Sequence, residues 1–167
     1  MFNSNLFALV AFSSAASAVY QGFNYGATFT DSSPIVESDF HSEFAMAKNL
    51  VGTSGFTSAL LYTMIQHGTM NTPTEAIPAA IDTHTTLLLG LWASAGQTVF
   101  DNELAALTSA ITRYGTNFTS LIAGISVGNE DLYHNSPTGI KNLSGLGANP
   151  AEIVNYIRSN LLSPVLL

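Results

Sequence analysis

The sequence predicts an α/β protein built on parallel strands, and three observations carry that expectation. Short apolar runs alternate with helical patterns four times, at steps of about 28 to 36 residues, the spacing of strand–crossover–strand units with right-handed connections. The third and fourth runs, Thr85–Trp92 and Leu121–Val127, are apolar nearly throughout, as strands covered on both faces are. No G-x-G-x-x-G follows the first run, so a dinucleotide-binding sheet lacks its usual fingerprint. An open doubly wound sheet and a (β/α)8 barrel remain. A barrel takes roughly 250 residues, and these 167 supply material for only about half of one.

In chain order, the first strand is Gln21–Tyr25, closed by Gly26 and a turn-rich stretch through Pro34. A helix follows over Asp39–Val51, where Phe40, Phe44, Ala47 and Leu50 recur at helical spacing and Asp39 is the expected N-cap. Thr57–Tyr62 is the second strand. Pro73–Ile81 is a weaker helix, which Pro78 is expected to interrupt. After the strand Thr85–Trp92 comes the clearest helix, Asp101–Tyr114, with acids in its first turn, Arg113 in its last, and Leu104, Leu107 and Ile111 on one stripe. The strand Leu121–Val127 is followed by a helix over Asn149–Ser159 that opens with Pro150, where a missing N–H is harmless.

Composition narrows the function. Hydrophobic residues make up 47% and charged residues 9%, which excludes a disordered chain. Eleven acids against four bases give a net charge of −7 with no basic run, so nucleic acid is not an expected partner. Eighteen Ser and 17 Thr supply uncharged polarity instead. Cysteine is absent, which removes thiol catalysis, cysteine metal sites and disulfides.

Leu6–Phe12 is an apolar run followed by Ala16-Ser17-Ala18, the A-x-A shape of a signal-peptidase site. Residues 1–18 are therefore expected to be a secretory signal. Two sequons, at Asn117 and Asn142, agree with export as glycosylation sites. No later segment approaches the ~20 apolar residues of a membrane span, so the expected product is secreted, to the extracellular space or cell wall.

In parallel α/β proteins, functional groups collect at the carboxyl ends of the strands. Here those ends are Asn24-Tyr25, Tyr62, Trp92 and Asn129-Glu130. Three carry aromatic rings, which stack on the apolar faces of sugars, and the fourth pairs an amide with a carboxylate, which bind hydroxyls and move protons. That mixture suits a carbohydrate site. Glu130 directly follows an apolar strand, so partial burial is expected to raise its pKa toward that of a general acid. The alternative is a helix-capping carboxylate or a partner for Lys141.

The segments GFNYG (Gly22–Gly26), LLYT (Leu60–Thr63), LLLGLW (Leu87–Trp92) and above all GISVGNED (Gly124–Asp131) resemble the fungal branch of glycoside hydrolase family 17, β-1,3-glucanases of the cell wall. The resemblance runs from about Gln21 to Ile157. It implies a (β/α)8 barrel, of which residues 19–159 are the amino-terminal half, cleaving β-1,3-glucan with retention of configuration and without a cofactor or metal. It further implies that Glu130 is the general acid/base, that Asn129 holds the sugar 2-hydroxyl, and that Tyr62 lines the same subsite. Trp92 and Tyr25 are the remaining expected sugar contacts. Hydrolysis and glucanosyl transfer share the covalent intermediate, so both reactions stay open, as does a non-catalytic glucan-binding remnant.

The chain departs from the family pattern at two points. Leu60 stands where an arginine usually precedes the Leu-Tyr of strand two, and no glutamate follows that could be the strand-seven nucleophile. A retaining mechanism needs two carboxyl groups roughly 5 Å apart, and past Glu130 only Asp131 and Glu152 remain. Residues 160–167 do not resemble the family. Four strands leave two unpaired edges and an uncovered inner face, so the chain is expected either to aggregate or to pair with another copy as a homodimer that closes the ring. Gly124-Ile-Ser126-Val-Gly128 matches the G-x-S-x-G elbow of serine hydrolases, but Ser126 falls inside a strand and its nearest acid and histidine, Asp131 and His134, follow too closely. His41, His67, His84 and His134 lack metal-ligand spacing, and Gly145 and Gly147 lack the Lys-Ser/Thr of a phosphate loop.

Overall fold

The computed structural model describes residues 20–158; the expected signal segment 1–18 and the tail 160–167 lie outside them. Four parallel strands, β1 (Gly22–Tyr25), β2 (Ser58–Leu61), β3 (Thr86–Leu91) and β4 (Ile122–Val127), form one sheet in the order β1-β2-β3-β4. The order never reverses, unlike that of a doubly wound sheet, and is compatible with part of a (β/α)8 barrel. Register is continuous: Tyr25 pairs with Leu61, Leu61 with Leu89 and Leu91 with Val127, with one irregularity at Leu87/Leu88.

Right-handed crossovers between sequential strands put the connecting helices on the same side of the sheet. The long helices α1 (Glu37–Lys48), α2 (Ala76–Thr83) and α3 (Gln97–Tyr114) close the core there, with Phe40, Phe44, Ile77, Phe100 and Leu107 packed on Leu61, Leu87, Leu89 and Leu91. The opposite face carries Leu60 and Leu88, which with Tyr20, Asn24, Ser58 and Ala123 line an open hollow of about 260 Å³. This corrects the expectation that strands three and four are covered on both faces. In β4, Ala123 is exposed on this second face, which no helix of the described residues covers, whereas Ile125 pairs with Leu89 on the helix side and is exposed because β4 is the edge of the sheet.

Helix boundaries follow capping chemistry that periodicity does not reveal. The first helix starts at Glu37 rather than after Asp39: the Asp39 carboxylate, three residues in, accepts the N–H of Val36 at 3.1 Å and closes the first turn from inside. It stops at Lys48, where Asn49 turns its side-chain amide back onto the Ala45 carbonyl. Pro78 does not interrupt α2, because it sits in the first turn, where its missing N–H has no intrahelical acceptor. The third helix begins one turn before Asp101, at Gln97, so it has no acid in its first turn; instead the Gln97 amide donates to Asp101 at 2.7 Å. Short helices α4 (Thr116–Thr119), α5 (Asp131–His134) and α6 (Pro137–Lys141) fall between the elements that the sequence predicts. The last helix, α7 (Pro150–Tyr156), is capped by Asn149, which accepts from Ala151 and Glu152 while Glu152 accepts from Asn149 at 2.7 Å.

Gly90 is required by the packing of β3 on β2. A Cβ there would lie 2.2 Å from the Leu61 carbonyl oxygen, closer than any side chain can sit.

Candidate functional site

The carboxyl ends of the strands form one row. Tyr62 donates its N–H to the Tyr25 carbonyl at 3.4 Å, and Gly128 donates to Leu91 at 2.9 Å, so Tyr25, Tyr62, Trp92 and the Asn129–Glu130 pair stand at successive strand exits. Side chains alternate along a strand, and the row divides accordingly. Leu61 and Leu91 turn into the helix-side core, whereas Tyr62 and Trp92, next along, are 38% and 49% exposed. Tyr25 goes the other way. Its ring meets Phe44 edge-on at 4.9 Å, it packs against the core, and burial together with the nearby Glu43 raises its pKa.

Asn129 and Glu130 are both exposed. The burial expected at Glu130 is therefore absent, because among the described residues only the walls of an open pocket of about 420 Å³, with Leu132, Ile153 and Val154, lie beside it. Glu130 instead has φ +58° and ψ 11°. A left-handed backbone is uncommon for a glutamate, and such strained positions cluster at functional sites.

The strain is held in place by Asp131, whose structural role the sequence does not reveal. Its side chain is 4% exposed. One carboxylate oxygen accepts from the Ser94 hydroxyl at 2.6 Å and the Ala148 N–H at 2.7 Å, and the other accepts the Asn129 N–H at 2.7 Å. Asp131 thus ties the β3 exit, the β4 exit and the loop before α7 into one knot. The glycine of the V-G-N-E segment belongs to the same knot: Gly128 has φ +82°, and a Cβ there would fall 2.3 Å from the Asp131 carboxylate. Asn135 closes the other side, donating to the Gly147 and Ala148 carbonyls at 2.7 and 3.0 Å.

Neither acid after Glu130 is free. Asp131 is saturated with donors, and Glu152 caps its own helix. Ser126 lies inside β4, its hydroxyl 3.4 Å from the Gly128 carbonyl, and the Nδ1–H of His134 donates to the Leu146 carbonyl, so the two are separately engaged. No group of three or more metal-ligating side chains occurs among the described residues. No helix among them is long and apolar enough to cross a membrane. Asn117, in α4, and Asn142, at the end of α6, are exposed; the Asn142 amide donates to the Tyr133 hydroxyl at 3.1 Å.

No family model matches the chain, but individual proteins do. A probable glucan endo-1,3-β-glucosidase of Aspergillus fumigatus is 58% identical over 154 residues, 92% of this chain and 34% of that protein. Proteins of the same description from Aspergillus oryzae and Emericella nidulans are 57% and 55% identical over 155 residues, 93% of this chain and 33% of each. By sequence, the chain is a relative of these glucanases. It spans about a third of their length. The similarity covers nearly all the described residues, including the four strand exits and the Asp131 knot.

Among the acids near this row, Glu103 of α3 is the most deeply buried, at 0% exposure, and burial raises its pKa although the Thr63 hydroxyl and the Met64 and Trp92 main-chain N–H groups favour its charged form. The sign of its pH effect follows. A carboxyl whose folded pKa lies above its unfolded value near 4.5 contributes stability that is complete below that value and lost as pH rises through the folded pKa. The thermal midpoint of the wild type minus that of Glu103→Gln is therefore expected to decrease as pH is raised from 4 and to level off once Glu103 is ionised in the fold. A difference that increases with pH would overturn the assignment.

Proposed function

We propose that the chain is the acid/base-bearing part of a β-1,3-glucan hydrolase, with the (β/α)8 barrel as the parent fold. The supporting observation is Glu130 in a strained turn at the exit of β4, in a chain 58% identical over 154 residues to a probable glucan endo-1,3-β-glucosidase. Protonating a glycosidic oxygen calls for a carboxylic acid reachable by substrate, and Glu130 is exposed on the row that carries Tyr62 and Trp92. Asn129 holds the 2-hydroxyl, a hydrogen bond that strengthens as the oxocarbenium ion develops. Tyr62 and Trp92 are the sugar platforms. Export to the cell wall, with glycans on Asn117 and Asn142, places the chain beside this substrate.

A retaining cycle needs a second carboxylate roughly 5 Å from the first, and among the described residues none is free to serve. The chain on its own is therefore expected to bind laminarioligosaccharides, read as a saturable change in Trp92 emission, without releasing reducing sugar. Absence of binding would sink the glucan reading. Turnover that disappears in Glu130→Gln would show a complete retaining site instead.

The edges of β1 and β4 and the inner face, which no other described residues pair with or cover, support closure by a second copy of the chain. Sedimentation of the purified chain is expected to give a dimer. A well-folded monomer at micromolar concentration would rule this out.

A further inference from the structure

Glu103 sits on α3, on the helix side of the sheet, with no exposed surface. Its carboxylate accepts the Thr63 hydroxyl and the Met64 N–H at 2.6 Å, and the main-chain N–H of Trp92 lies beside it and favours its charged form. Thr63 in turn accepts the Ile65 N–H at 3.0 Å. Two of these donors lie directly after Tyr62, and the third is the main chain of Trp92. One buried group thus grips the exits of β2 and β3 from behind while their two rings face outward. A buried carboxylate is costly unless its oxygens are filled. A core filled with leucine would hold α3 on the sheet as well, but it would not bond to two strand exits at once.

We infer that Glu103 is a positioning residue, which fixes the main chain under Tyr62 and Trp92 so that the two rings are held as a preformed platform for a sugar chain. For its ligand this rests on the glucan reading; for the platform itself it does not. Main-chain donors cannot rotate away from a fixed acceptor, so the carboxylate sets where both exits lie. Glutamine has nearly the same shape, but its amide replaces one acceptor oxygen by a donor: the Thr63 hydroxyl can turn to accept it, whereas a main-chain N–H cannot, so an exit whose N–H faces the new donor must move.

Trp92 is the only tryptophan in the chain, so its emission reports on this platform without a label. Glu103→Gln is expected to retain the far-ultraviolet circular dichroism of the wild type while the Trp92 emission maximum shifts and acrylamide quenching rises. Affinity for laminaripentaose should fall roughly ten-fold, the order of one lost aromatic contact. Thr63→Val removes one donor and leaves the carboxylate, and should shift emission in the same direction by less. The two effects should be non-additive in the double variant. Glu152→Gln, which alters only a helix cap, is the control and should change neither emission nor binding.

Unchanged emission and quenching in folded Glu103→Gln would reduce Glu103 to a core residue and overturn the inference. If that variant does not fold, Thr63→Val decides on the same readings. Failure of the wild-type chain to bind laminaripentaose would refute the glucan reading, while the emission results would still decide the positioning role.

Discussion

Asp131→Ala is expected to lose about 3 kcal/mol of stability, because the Ala148 N–H is buried and has no other acceptor once the carboxylate is gone. The Ser94 hydroxyl can rotate toward water and the Asn129 N–H is close to the surface, so they add less. The effect should appear as a lower urea midpoint with an unchanged slope. Asp131→Asn keeps the shape but presents an amide donor to N–H groups that also donate, so it should recover less than half of the loss. A loss below about 1 kcal/mol for the alanine variant, the level of an ordinary exposed hydrogen bond, would show that the knot does not hold the turn. The same variant releases Glu130 from its left-handed backbone, so any glucan binding should weaken with it.

Phe100→Ala is expected to cost about 3–5 kcal/mol, the range for emptying a fully buried aromatic site. Phe100 has no exposed surface and stacks on Tyr156 with ring centroids 4.3 Å apart and planes 18° apart. The contact joins α3 to α7, so the cavity would open between the middle of the chain and its last described helix. Met46→Ala, on an exposed side chain of α1, should change the urea midpoint by less than about 0.5 kcal/mol equivalent. If the two variants lose similar stability, the core assignment is wrong.

The strands were legible because each is an apolar run between turn residues, and their parallel order followed from the helices between them. What the sequence hid lies in side chains whose role depends on another element. Glu103 reads as a first-turn acid when the helix is started at Asp101. Started at Gln97, the same residue falls on the stripe of Phe100, Leu107 and Ala110, facing inward. The shift was invisible because Gly96 caps the helix without a side-chain bond and Thr98-Val99 read as strand formers. Asp131 looked like a poor nucleophile, since nothing local shows that Ser94 and Ala148 approach it from 37 and 17 residues away. The exposure of Glu130 was missed for the converse reason: an apolar strand before it suggests a dry setting, but dryness requires neighbours beyond the β4 edge. Tyr25 is half-buried on the helix side, because strand alternation gives the place on the open face to Asn24.

The sheet order of strictly consecutive neighbours has a consequence for local packing. Each strand–helix unit meets only the units before and after it, so material can be added or removed at an outer strand without rewriting the interior. The packing of an inner unit is therefore set by its two neighbours, and a change at an outer strand leaves it in place.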